Sequence, residues 1–268
     1  MLQTESQPNP LPREIADGIF WLGNCLHNTY RGQVLHGYNS TYLVCGEECS
    51  ALIEAGHPRD LQILERQLDG LLLSGLPELR YVFLTHHETP HSAGVGRILQ
   101  RFPAALAVGG VMDLHLAFPD YAERFHFLDP GQSIDLGGTS LQVVESVVRD
   151  HLYTRWAFDT RRRVLFPGDG FAYAHYHEVG QCGAMAEEAT TLEIPDMTAL
   201  FADLALYWTR FVDLEPYIER LDELVRELEV RAIAPTHGLP IGDPAAILPR
   251  IRDGLRLGGA RMDGAQIV

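Results

Sequence analysis

The sequence predicts an α/β (α+β) chain in which β-sheets pack face to face and helices cover the outer surfaces. Three observations carry this. Short apolar runs bounded by turn residues recur along both halves of the chain. Segments with a helical period follow them, at 60–73 and 92–102 in the first half and 199–230 in the second. No linker or low-complexity stretch divides the 268 residues, so both halves belong to one core.

Residues 1–16 are polar and proline-bearing and read as an N-terminal tail, leaving 17–268 as the domain. Strand-like runs follow at 18–22, 40–44 and 50–54. Apolar side chains at Leu61, Ile63, Leu64, Leu68, Leu71 and Leu72 then mark a helix over 60–73. A strand at 81–85, a helix at 92–102 and a strand at 105–108 complete the first half. The second half opens with short strands at 125–128, 132–135 and 141–144, separated by Asp129-Pro130-Gly131 and Gly137-Gly138 turns. Strands at 156–159 and 164–167 flank the basic turn 160–163. A mostly helical stretch, 199–230, is broken near Pro216, and a last strand covers 232–234.

The net charge is −15. An acidic surface repels phosphate backbones, so no nucleic-acid partner is expected. Every basic residue is arginine, which removes lysine Schiff-base chemistry and the lysine-dependent phosphate loop. The N-terminal segment lacks a basic stretch followed by an apolar one, and no run approaches the about 18 apolar residues of a membrane span. A cytoplasmic protein that does not enter membranes is the expectation. Cys25, Cys45, Cys49 and Cys182 form no CxxC pair and read as free thiols.

The chemistry concentrates in "YVFLTHHETPHSAG", residues 81–94. In an extended segment alternate side chains share a face. His86, Glu88 and Pro90 would point one way and His87 the other, while His91 turns back where the helix begins. Three more candidates stand at strand ends: His151 after 147–150, Asp169 in a Gly-Asp-Gly turn, and His237 before Gly238.

In this order the set resembles the metallo-β-lactamase fold superfamily, whose first motif T-H-x-H-x-D-H is followed by a single His, a Gly-Asp turn and a late His-Gly. The nearest branch is the flavodiiron proteins, with H-x-E-x-D-H; "HGYNSTYLV" (36–44), "FDTRRRVLFPGDGF" (158–171) and "IAPTHG" (233–238) support it. The resemblance spans about residues 17–245. It implies a four-layer αβ/βα sandwich. It implies that His86, Glu88, His151 and Asp169 hold one metal, and His91, His237 and a bridging Asp169 a second. The family's Asp at the second position is Pro90 here, whose ring cannot ligate, so that position has at most three protein ligands and stays open. The flavodoxin domain that normally follows is not expected within these 268 residues.

One or two transition-metal ions per chain are therefore expected, with iron or manganese favoured by Glu88 in place of a histidine and zinc still admissible. Two activities follow. The first expectation is a metallohydrolase with Asp169, His91 and His237 around a metal-activated water. Its small, aromatic or apolar substrate would lie against Phe171, Tyr173 and Tyr176, with His175 and His177 donating to a developing anion. The alternative is a diiron redox protein that binds or reduces dioxygen or nitric oxide with a separate electron donor. The resemblance further implies a homo-oligomer or assembly with a related subunit, with Trp208, Phe211 and Arg161–Arg163 as contact groups.

Overall fold

A computed structural model describes residues 10–30, 32–174, 181–189 and 191–260. In chain order the strands are β1 (Arg13–Ala16), β2 (Ile19–Leu22), β3 (Cys25–Tyr30), β4 (Gln33–Tyr38), β5 (Thr41–Cys45), β6 (Ser50–Ile53), β7 (Leu79–Leu84), β8 (Leu106–Gly109), β9 (Phe125–Phe127), β10 (Ser133–Asp135), β11 (Ser140–Val144), β12 (Trp156–Asp159), β13 (Val164–Phe166) and β14 (Ala232–Ile233). The helices are α1 (Leu61–Leu73), α2 (Thr89–Ser92), α3 (Val95–Arg101), α4 (Leu114–Ala117), α5 (Ile194–Ala205), α6 (Glu215–Glu227) and α7 (Pro244–Ala260).

Two main sheets form, in the orders β1-β2-β5-β6-β7-β8-β9 and β10-β11-β12-β13-β14, and β3 pairs with β4 in a separate ribbon. The period-2 alternation of strand side chains decides the layering. Ile19 and Trp21, Tyr42 and Val44, and Ala51 and Ile53 join Val143, Ala157 and Phe166 in a core between the sheets. The alternate residues Leu22, Leu43, Leu52 and Val82 instead meet Leu64 and Leu68 of α1 and Ile98 and Leu99 of α3. This is the expected sandwich with helices outside.

The parallel pairs fix where chemistry can sit. β6, β7 and β8 run parallel, and so do β13 and β14. Their carboxyl ends meet at one edge of the sandwich, stitched by Ser40 N–H to Thr236 O at 2.8 Å, Thr236 N–H to Gly168 O at 3.0 Å and Arg155 N–H to Thr85 O at 2.8 Å.

Several expectations need correction. Arg13–Ala16, placed in the tail, pairs antiparallel with β2 as an edge strand. The β3–β4 ribbon and α7 were missed. The 199–230 stretch is two helices, α5 and α6, joined by a 3-10 segment at Tyr207–Phe211. In the basic turn, Arg162 is not a contact group for a partner. Its side chain, only 10% exposed, donates to Asp159 Oδ2, Asp17 O and Cys45 O and so ties the two sheets together.

Candidate metal centre

β7 delivers Thr85 and His86, and α2 begins at Thr89 with Glu88 as its N-cap and Pro90 in its first turn. The alternating register therefore holds for His86 and Glu88 but stops before Pro90. His91, inside α2, comes back to within 3.8 Å of the His86 ring. His87 is exposed, as expected, and lies 4.8 Å from the His151 ring. From the second sheet, β13 is followed by Pro167 and Gly168, and the φ of +56° at Gly168 and its contact with Thr85 leave no room for a side chain; Asp169 comes next. β14 ends before Thr236 and His237.

Asp169 is the hub. Its Oδ1 lies 3.5 Å from His91 Nε2 and 3.7 Å from His237 Nε2, and its Oδ2 lies 3.8 Å from His86 Nε2. Each imidazole has its other nitrogen engaged. His86 Nδ1 meets Thr85 Oγ1 at 3.0 Å, His91 Nδ1 meets Glu54 Oε1 at 3.0 Å, and His237 Nδ1 donates to Tyr38 O at 2.9 Å. That fixes three Nε2 atoms toward Asp169, the orientation metal-binding histidines need.

Two residues at this site were not foreseen. Glu54, fully buried after β6, accepts from Thr85 Oγ1 at 2.5 Å and Thr236 Oγ1 at 3.3 Å. Asp150, 5% exposed, sits 3.3 Å from His86 Nε2 through Oδ2. Its Oδ1 accepts from His151 N–H and Thr154 Oγ1 at 2.8 and 3.0 Å, which closes the 145–155 loop and turns Oδ2 inward. The residue singled out in the sequence, His151, lies farther out, 34% exposed, with Nε2 at 3.1 Å from Asp150 Oδ2 and 3.3 Å from Glu88 Oε1. The signal available was an aspartate at a loop end beside that histidine.

Among the described residues, His86 Nε2, His91 Nε2, Asp150 Oδ2 and Asp169 Oδ1 are buried without a hydrogen-bond partner. Each such group costs about 1–3 kcal/mol. Four of them converging on one space fit a bound cation, and His86, Glu88, His91 and Asp169 lie within metal-sharing distance, as do Glu88, Asp150 and His151. Electrostatics agree. Burial, then the positive neighbours, push His86 and His91 well below the usual histidine range, and burial brings His237 down to about 4; neutral imidazole is the ligating form. Burial first, then Asp150, Glu54 and Glu88, push Asp169 well above the carboxylate range. Burial raises Glu54 to about 8. A crowd of buried carboxylates of this kind is relieved by positive charge.

Of the expected substrate wall, Phe171 and Tyr173 lie among the described residues. Both are buried core residues, Phe171 5.7 Å from the Trp156 ring and Tyr173 hydrogen-bonded to Leu239. His175, Tyr176 and His177 lie outside the described residues. A cleft of about 570 Å³ opens instead beside Asp150 and His151, lined by Arg149, Tyr207, Trp208, Tyr217 and Arg220. Trp208 donates to Arg149 O at 2.6 Å, and Phe211 is 66% exposed. No helix among the described residues is long and apolar enough to cross a membrane.

Comparison with known proteins corrects the hydrolase expectation. A coenzyme F420H2 oxidase from Methanothermobacter marburgensis is 28% identical over 253 residues, covering 88% of this chain and 59% of its own. The chain thus spans about three-fifths of the length of that relative. Among solved structures, the rubredoxin oxygen:oxidoreductase of Desulfovibrio gigas superposes with a TM-score of 0.74 at 14% identity, covering 92% of this chain and 61% of that one. The flavodiiron protein of Giardia intestinalis does so with 0.62 at 19% identity, covering 94% and 58%. These relatives carry oxidase and diiron names, so the metal-activated-water reading is set aside. The profile of the metallo-beta-lactamase superfamily matches residues 35–237, and the chain belongs to that superfamily, with the fold of the lactamase-like domain of flavodiiron proteins.

Proposed function

We propose that this domain is a diiron redox unit that binds or reduces dioxygen or nitric oxide with electrons from a separate donor. The observation that carries the reading is the donor set: three Nε2 atoms facing Asp169, with Asp150 and Glu88 beside them. A site of imidazoles and several carboxylates, without sulfur, suits iron or manganese better than a thiolate-seeking ion. The oxidase names of the relatives point the same way.

His86, Glu88, Asp150 and Asp169 would hold one iron, and His91, His237 and Asp169 the other. When bound, the pair supplies the redox chemistry and a place for a diatomic substrate. Pro90 in place of a carboxylate leaves the second position with three protein ligands and room for that substrate. The protein's own residues do the rest. Glu54 and the Tyr38 carbonyl lock the tautomers of His91 and His237. Reduction of dioxygen to water, or of nitric oxide to nitrous oxide and water, consumes one proton for every electron. The half-exposed pair His151 and Glu88, in contact with buried Asp150, is the path by which a proton crosses from solvent. The aromatic, arginine-bearing cleft at Asp150 and His151 is the approach for an electron donor, either another protein or a small carrier.

The experiment is gas consumption by the iron-loaded chain under a chemical reductant, followed with dioxygen and nitric oxide electrodes. Turnover of either gas, lost in Asp169→Asn, supports the reading. Consumption no faster than that of free iron under the same reductant would overturn it.

A further inference from the structure

A second cluster of metal-ligating side chains stands apart from the centre just described. The register of the β3–β4 ribbon puts it together. Cys25 and His27 are two residues apart on β3 and so share a face, and His27 pairs directly across from His36 on β4. The His27 and His36 rings lie 4.0 Å apart. Cys25 Sγ is 3.1 Å from His36 Nδ1, and one donor atom each from Cys25, His27 and His36 lies within 4.8 Å of the others. A fourth side chain arrives from a distant part of the chain: Cys182 Sγ is 3.9 Å from the same His36 Nδ1.

We propose that Cys25, His27, His36 and Cys182 form a metal site of the Cys2His2 class, suited to zinc, that fastens the β3–β4 ribbon to the 181–189 segment. The distances fit. A tetrahedral ion with metal–sulfur and metal–nitrogen bonds of about 2.3 and 2.0 Å sets its sulfur and nitrogen donors about 3.5 Å apart, and the two observed separations bracket that value. The donor chemistry separates this site from the proposed iron centre. Thiolates with imidazoles select zinc, whereas the centre at Asp169 offers no sulfur.

The position gives the site a structural task. Tyr38, two residues beyond His36, accepts the Nδ1–H of His237 on its carbonyl at 2.9 Å. It also accepts the N–H of Gly183, next to Cys182, on its hydroxyl at 2.8 Å. An ion here would pin both strands of contact that hold Tyr38, and through it the orientation of His237.

Cobalt(II) added to the full-length metal-free chain tests this without reference to activity. The expected result is a thiolate-to-cobalt charge-transfer band in the near ultraviolet. It should weaken in Cys25→Ser and in Cys182→Ser, vanish in the double variant, and persist in His86→Ala/Asp169→Ala. Zinc affinity, read by competition with a chromophoric chelator, should fall on the order of tenfold or more in His36→Gln. Three outcomes would overturn the proposal. One is cobalt binding with no charge-transfer band, leaving only a thiol–imidazole hydrogen bond; another is no cobalt binding at all; the third is a band that survives Cys25→Ser/Cys182→Ser, which would place the thiolates at Cys45 and Cys49. Loss of iron chemistry with retention of this band would count against the diiron reading alone.

Discussion

The two flanks of the metal centre are built differently. On the inner flank His86, His91, Asp169 and Glu54 are all nearly inaccessible, and each comes directly off the end of a sheet strand or from α2 just beyond β7. On the outer flank Glu88 and His151 are 47% and 34% exposed, and they ride on a helix cap and a loop. Asp150 joins the two, buried like the inner set but carried by the outer loop. The contrast teaches a division of labour. On the proposed reading, the desolvated groups would hold the ions and the wetter His151 would exchange protons with solvent.

The largest effect should come from Asp169, which faces all three imidazoles. Asp169→Asn should lower retained iron roughly tenfold or more, as measured by metal analysis. The metal-free variant should be at least as stable to denaturant as the metal-free parent, because it removes a carboxyl whose ionisation is opposed by burial first and then by Asp150, Glu54 and Glu88. A metal-free variant that unfolds more easily would show that Asp169 serves the fold rather than the ion.

Next comes the residue linking the flanks. Asp150→Ala should roughly halve iron content by emptying the position at His86, since ligand number sets affinity. His151→Ala should change iron affinity by about fivefold or less, in keeping with the small worth of exposed polar contacts, while slowing turnover most at high pH, where protons are scarce. The reverse ranking in metal analysis would restore His151 as the ligand.

Glu54→Gln probes the inner flank without touching a proposed metal bond. A lost outer partner of a ligating histidine typically costs about ten- to a hundredfold in metal affinity. The sign of the pH effect also follows. In the metal-free chain His237 is held neutral down to about 4 while Glu54 keeps its proton up to about 8. Metal uptake at neutral pH therefore displaces protons from carboxylic acids rather than imidazoles, and affinity rises with pH through that range. Calorimetry in buffers of different ionisation enthalpy should show fewer protons released by Glu54→Gln; an unchanged count would assign them elsewhere.

The smallest effect belongs to His87, which is exposed and has its ring 4.8 Å from that of His151. His87→Ala should leave iron content unchanged.

How much of this was legible in the sequence follows from chain distance. His86, Glu88 and His91 are neighbours, so one strand-to-helix turn makes a cluster readable at sight. Glu54 is not readable, because only the parallel register of β6 against β7, Ile53 beside Phe83, brings it to Thr85. Asp150 was hidden by His151, the more obvious ligand, and only the hydrogen bond from Thr154 shows which of the two turns inward. The β3–β4 ribbon is too polar to announce itself as strands. Helix α7 carries Pro249 and several glycines, poor helix formers. One of them, Gly254, lets α7 lie so close to α5 that an added Cβ would meet Pro195 O at 2.6 Å. Packing there overrides local preference.

The central claim is that the space around Asp169 holds a redox-active pair of irons. Mössbauer spectroscopy of the iron-loaded chain, before and after exposure to dioxygen, tests it most directly. The account predicts ferrous iron that converts on exposure to a spin-coupled ferric pair, with the coupling lost in Asp150→Ala. Uncoupled iron, or iron indifferent to dioxygen, would contradict it.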